Sequence, residues 1–174
     1  MPVELFIPSI GIHRTIHSNV CPIVDEAIDP DRSDYMVACV VTGEHLAAQL
    51  PGTSTTNATM IVGHTWRAKP TWQDSVGSAA FNALYNWESN QYTMKVGAEV
   101  WVRTQASGKR WLVYKITSFS QPAKTANNDD IWDFADKPAP GTLKLIGCLQ
   151  PTDYNVLNST HNIVVKAVFL RVQG

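Results

Sequence analysis

The chain has 174 residues, 44% of them apolar and 17% charged, with 14 Lys plus Arg against 15 Asp plus Glu and a net charge of −1. That composition excludes a disordered chain and supplies enough apolar surface for one domain, read as residues 1–174. Near-neutral charge argues against a nucleic-acid binder, and no uncharged apolar run approaches the roughly 20 residues of a membrane span.

The N-terminus lacks the basic head, apolar stretch and small-residue cleavage site of a signal peptide. Met1 instead leads directly into strand-like sequence, as in a chain relieved of an N-terminal anchor. Val3 to Ile16 mixes β-branched and aromatic residues, with a turn signal at Pro8-Ser9. Tyr35 to Val41 and Ala58 to His64 are short apolar runs. Gly43 to Leu50 reads as two turns of helix, ended by Pro51-Gly52. A second helix is expected over Ser78 to Trp87, with Ser78 as N-cap and Phe81, Leu84, Tyr85 and Trp87 near helical spacing.

Ala98 to Thr104 alternates Val100 and Val102 against Glu99, Trp101 and Arg103. Lys109 to Phe119 follows a hairpin turn at Ala106-Ser107-Gly108. Pro122 to Gly141 carries three prolines and several Asn and Asp residues. It reads as one long loop with a turn of helix near Ile131 to Phe134, a length that in compact domains usually serves function. Thr142 to Cys148 and Asn162 to Val172 are the last strands. Many short strands with turns between them predict a mostly all-β chain, a barrel or sandwich with one or two short helices.

The three cysteines are Cys21, Cys39 and Cys148, with no CxxC pair and no metal-ligand spacing. Cys21 and Cys39 read as small buried free thiols, although pairing is open to them in an oxidising compartment. Cys148 differs. It ends the apolar strand Leu143 to Gly147, as His64 ends Thr59 to Gly63, and each follows a glycine that permits close approach of another backbone or a ligand. A Cys and a His distant in sequence can meet across a sheet, which is how a cysteine nucleophile commonly finds its base.

Five stretches in order carry a family likeness. LFIPSIGIHRTI, MIVGHTW, the segment Ala79 to Trp87 with VGAEVWVRT, TLKLIGC and NIVVKAVF together resemble the sortase family of cysteine transpeptidases, over roughly Val3 to Leu170. The resemblance implies a closed eight-stranded β-barrel with its site at the rim of two adjacent strands. It implies an enzyme on the outer face of a bacterial membrane, held by an N-terminal anchor. Such an enzyme cleaves an L-P-x-T-G-type C-terminal sorting signal of a protein substrate through a thioester. It then passes the acyl group to an amine on a cell-wall precursor or a pilin lysine. By position Cys148 is the nucleophile and His64 the acid/base. No cofactor, metal or nucleic acid is implied.

Two positions depart from the family pattern. Gly147 stands where the family usually has Thr, and no arginine occurs between Cys148 and Arg171. The arginine's place falls on Asn162, with His161 as the alternative. An Asn162 amide would donate without charge, and charge-assisted bonds are about twice as strong. If neither residue serves, Arg103, Arg110 or Arg67 must reach the site. Trp66, Ile131, Trp132 and Gly147 are expected on the substrate side, with Trp72 and Phe134 nearby. Asp129, Asp130, Asp133 and Asp136 read as a solvated loop face rather than a calcium site. The rival to an active enzyme is a catalytically weakened or silent sortase-like module that binds a peptide.

Overall fold

The computed structural model describes residues 2–21, 23–24, 27–28, 37–41, 59–66, 79–124, 141–151 and 159–174. Strands account for most of these. In chain order they are β1 (Pro2–Ile7), β2 (Ile12–Val20), β3 (Ile23–Val24), β4 (Ala27–Ile28), β5 (Ala38–Val41), β6 (Thr59–Gly63), β7 (Tyr85–Asn86), β8 (Gln91–Tyr92), β9 (Glu99–Thr104), β10 (Trp111–Ser120), β11 (Thr142–Leu149) and β12 (His161–Gln173). Eight of them close a barrel in the order β1-β2-β5-β6-β11-β12-β10-β9, while β3-β4 and β7-β8 are small separate ribbons. No helix among the described residues is long and apolar enough to cross a membrane.

Period-two alternation builds the barrel interior. Val100, Val102 and Thr104 of β9 are buried between half-buried Glu99, Trp101 and Arg103, as the sequence pattern predicts. Leu5, Ile7, Ile61, Tyr114, Leu143, Leu145, Ile163 and Val165 join them in one core. The Pro8 turn signal becomes a 3-10 turn over Pro8–Ile10, closed by Gly11 in the left-handed region at φ 66°. The hairpin between β9 and β10 is held by Ser107, whose N–H donates to Thr104 Oγ1 at 3.0 Å.

Two expectations are corrected. The helix expected over Ser78 to Trp87 is a 3-10 turn at Asn82–Leu84 followed by β7, with Ser78 outside the described residues. Phe81, Leu84 and Tyr85 enter the barrel core, so their helix-like spacing reflects burial of a turn rather than one stripe of a helix. The backbone bonds that a helix would close internally go to β8 instead, with Thr93 N–H donating to Leu84 O at 3.1 Å. Asn86 Oδ1 then accepts from the N–H groups of Glu88 and Ser89, which favours a turn over a continuing helix. The helix expected over Gly43 to Leu50 lies outside the described residues.

The second correction concerns the cysteines. Cys21 and Cys39 are not free thiols; they form a disulfide with Cα atoms 5.2 Å apart. The parallel pairing of β2 with β5 brings Val20 beside Val40, and Cys21 N–H donates to Val40 O at 2.9 Å. Eighteen residues of separation give no local hint of that approach. Cys148 is the chain's free thiol.

Candidate active site

Three barrel strands deliver the chemistry-bearing residues to one place. β11 runs parallel to β6, with Leu143 beside Thr59 through Ile146 beside Val62. β6 ends one residue before His64, and β11 carries Cys148 two residues past Ile146, the partner of Val62. On its other flank β11 runs antiparallel to β12, with Cys148 directly opposite Asn162 and Leu149 opposite His161.

Alternation decides which way these residues face. Ile61, Leu145 and Ile163 belong to the barrel interior, whereas Met60, Val62, Ile146 and Val164 form a second apolar cluster with Cys21, Cys39 and Val41. His64 lies two residues after Val62, Cys148 two after Ile146, and Asn162 two before Val164. All three therefore share the parity of the second cluster. That cluster is buried and includes the disulfide. His161 takes the opposite parity, and its Nδ1 is hydrogen-bonded to Thr160 Oγ1 at 2.9 Å. Cys148, His64, Asn162 and His161 are all half-buried, which is access rather than core packing.

The two glycines have steric causes. A Cβ on Gly63 would lie 2.9 Å from Cγ of Phe81, a fully buried ring. Phe81 also donates its N–H to His64 O at 2.9 Å, so the ring packs on the backbone that presents the imidazole. Gly63→Ala should therefore destabilise the fold by about 1–3 kcal/mol, the usual scale of overpacking. A urea unfolding curve checks this, and an unchanged midpoint would remove the steric account.

Gly147 is buried, and a Cβ there would lie 2.9 Å from Thr65 Cγ2 and 3.4 Å from Gly63 O. The Thr65 methyl occupies the volume that a threonine at 147 would need, so the departure from the family pattern has a local counterpart one residue after His64. Thr65 also ties the two strand ends together. Its Oγ1 donates to Cys148 O at 2.6 Å, and Gln150 Nε2 donates to both Thr65 O and Thr65 Oγ1 at 2.9 Å.

Beyond β10 the chain runs on along the start of β12. Asn162 N–H donates to Pro122 O at 2.9 Å, and Lys124 N–H to Thr160 O at 2.8 Å. The side chain of Lys124 then reaches across β12, where its Nζ donates to Cys148 Sγ at 3.2 Å. Below this point Tyr92 Oη donates to Ser120 O at 2.6 Å and accepts from Val164 N–H at 3.3 Å. Burial pushes the Tyr92 phenol up to about 12, so it stays a neutral donor pinning β10 to β12.

The arginine candidates separate clearly. Arg103 pairs with Glu4 and lies over the Trp111 ring at 4.8 Å, so its guanidinium is committed to β1 and β10. Arg171 pairs with Glu99 at 2.6 Å, and that bond holds the Glu99 carboxyl below its ordinary range. Arg110 stands in the hairpin before β10, at the opposite end of that strand from Lys124. Arg67, Trp72, Asp129, Asp130, Ile131, Trp132, Asp133, Phe134 and Asp136 lie outside the described residues. Trp66 is half-buried two residues after His64, its backbone N–H donating to Asn82 Oδ1 at 2.6 Å.

Sequence reading passed over Thr65, Gln150 and Lys124. Lys124 carried one usable signal, a cation four residues past the end of β10. Only the pairing of that segment with β12 gives the position a meaning.

No family model matches the sequence, and no curated protein sequence matches it. Solved structures do. Sortase A of Listeria monocytogenes superposes with a TM-score of 0.59 at 13% identity, over 98% of this chain and 87% of that one. Sortase C-1 of Actinomyces oris gives 0.60 at 18% identity, over 97% and 71%. Sortase E1 of Streptomyces coelicolor, solved with a tripeptide in its active site, gives 0.59 at 14% identity, over 99% and 89%. Identities this low speak for architecture rather than chemistry. The closed eight-stranded barrel of this chain is the sortase fold.

Proposed function

We propose that this protein is a cysteine transpeptidase of the sortase type, with Cys148 as nucleophile and His64 as acid/base. The observation that supports it most is the register that sets Cys148 opposite Asn162 on β11, a strand that also pairs with β6, the strand that runs into His64. In the proposed reaction the Cys148 thiolate attacks the scissile carbonyl carbon. A C–S bond forms and the π pair moves to the carbonyl oxygen. Collapse of that intermediate expels an amine, which takes its proton from the His64 imidazolium. The thioester is then attacked by a second amine, whose proton returns to His64.

Asn162 is proposed to donate its amide to the substrate backbone. Val62, Ile146 and Val164 offer a floor for the apolar part of an L-P-x-T-G-like sorting signal. Trp66, Ile131 and Trp132 are assigned to the substrate side. The acceptor is an amine on a cell-wall precursor or a pilin lysine, and the site of action is the outer face of a bacterial membrane. The Cys21–Cys39 disulfide supports an oxidising compartment. The Thr65 methyl beside Gly147 removes one reason to prefer a silent peptide-binding module.

The test is a sorting-signal peptide carrying a vinyl sulfone in place of the scissile amide. It should add one mass increment at Cys148, and the unmodified peptide should give a product whose mass includes an added primary amine. An unlabelled Cys148 would favour the silent module. Cleavage with no amine product would leave a hydrolase.

A further inference from the structure

We propose that Lys124 is a catalytic residue, the cation that pairs with the Cys148 thiolate and then with the oxyanion that forms beside it. The proposal rests on the reading of Cys148 as the nucleophile. Two features of the geometry carry it, the side-chain contact with the thiol and the backbone bridge that anchors the segment bearing the lysine. Lys124 Nζ lies 3.2 Å from Sγ, within hydrogen-bond distance for sulfur. The backbone at Lys124 is anchored, because its N–H donates to Thr160 O at 2.8 Å and the neighbouring Ala123 bridges His161. The segment that carries it also holds the backbone of Asn162, since Asn162 N–H donates to Pro122 O. The backbone that carries the ammonium is thus anchored on β12, the strand that pairs with β11 at Cys148.

The chemistry follows from the distance. An ammonium beside a thiol favours the thiolate, the form that attacks a carbonyl. When Sγ bonds to the carbonyl carbon its negative charge passes to the carbonyl oxygen, one bond further on. That oxygen lies within a single carbon of Sγ, so a lysine on a flexible stem follows the charge without giving up its proton. The described arginine side chains with assigned partners are held elsewhere, Arg14 by Ala80 O, Arg103 by Glu4 and Arg171 by Glu99. A lysine that arrives from the far side of β12 would do the same electrostatic work from a different strand.

The experiment measures alkylation of Cys148 by iodoacetamide at neutral pH, followed by intact mass. Cys21 and Cys39 are paired, so one thiol reacts and the reading is unambiguous. Lys124→Gln should slow alkylation about threefold to fivefold, the upper range for an exposed charge partner, while Lys124→Arg should restore most of the rate. Lys109→Gln removes the same charge from the opposite end of β10 and should stay within about twofold of the parent. Turnover of a sorting peptide should fall further than alkylation in Lys124→Gln, by about tenfold to a hundredfold, because the oxyanion contact is lost as well. Alkylation of Lys124→Gln at the parent's rate, with melting unchanged, overturns the proposal. If the parent cleaves no sorting peptide but Lys124→Gln still slows alkylation, the transpeptidase reading fails and the Lys124–Cys148 pairing stands.

Discussion

Cys148→Ala should abolish peptide cleavage and vinyl-sulfone labelling together, with a fall in kcat/KM on the order of 10³–10⁶, the range for loss of a nucleophile. The side chain ends a rim strand and is half-buried, so exchanging a thiol for a methyl removes little packing. Stability should change by less than about 1 kcal/mol. Its backbone carbonyl still accepts from Thr65 Oγ1, which keeps the strand end in place. A melting curve and a cleavage assay on the same preparation check both halves. Cleavage that persists in Cys148→Ala would remove the nucleophile assignment and with it the transpeptidase reading. Cys21 and Cys39 are no neutral controls for this experiment, because replacing either opens the disulfide. Closing a loop of about that length stabilises a fold by roughly 3 kcal/mol in the chain-entropy account.

His64→Ala should lower kcat/KM by about 10²–10⁴, the usual contribution of a positioned acid/base. The parent's rate should follow a bell-shaped dependence on pH. The acid limb reflects loss of the thiolate, and the alkaline limb reflects loss of the imidazolium that protonates the leaving amine. In His64→Ala the alkaline limb should disappear, because no imidazolium remains to titrate. A hydrogen-bonded imidazole with only a packing role would leave that limb in place. His64→Ala that keeps the parent's rate within tenfold and retains both limbs would assign the acid/base elsewhere. The variant should stay folded, since Phe81 N–H donates to the His64 carbonyl and that backbone contact survives the substitution.

Much of the barrel was legible because half-buried strands write a period of two into the sequence. Val100 and Val102 against Trp101 and Arg103 is the clearest instance, and the structure reproduces it residue for residue. The Pro8 turn was legible because a proline at the start of a turn and a glycine in the left-handed region after it are local requirements. His64 and Cys148 stood out through a local signature too, an apolar strand ending in glycine. The steric reasons for those glycines were not legible. Gly63 answers to Phe81 and Gly147 to Thr65, contacts that span 18 and 82 positions.

The segment after Ser78 shows where local reading fails. Spacing of Phe81, Leu84 and Tyr85 fits a helix stripe, but burial in the barrel and pairing of β7 with β8 decided against it. Such override is expected where a short apolar segment can satisfy its backbone by tertiary contacts.

By itself the sequence determined most of the barrel strands, the inward face of β9, the turn at Pro8 and two residues poised at strand ends, because each depends on neighbours within a few positions. Only the tertiary structure decided the rest. The parallel approach of β2 to β5 made the Cys21–Cys39 disulfide, the register of β11 between β6 and β12 put Cys148 opposite Asn162, and the run of 121–124 along β12 carried Lys124 to the thiol. These are pairings between segments distant in the chain. Their partners are chosen by closure of the whole barrel, and no local pattern of residue types encodes which strand lies beside which.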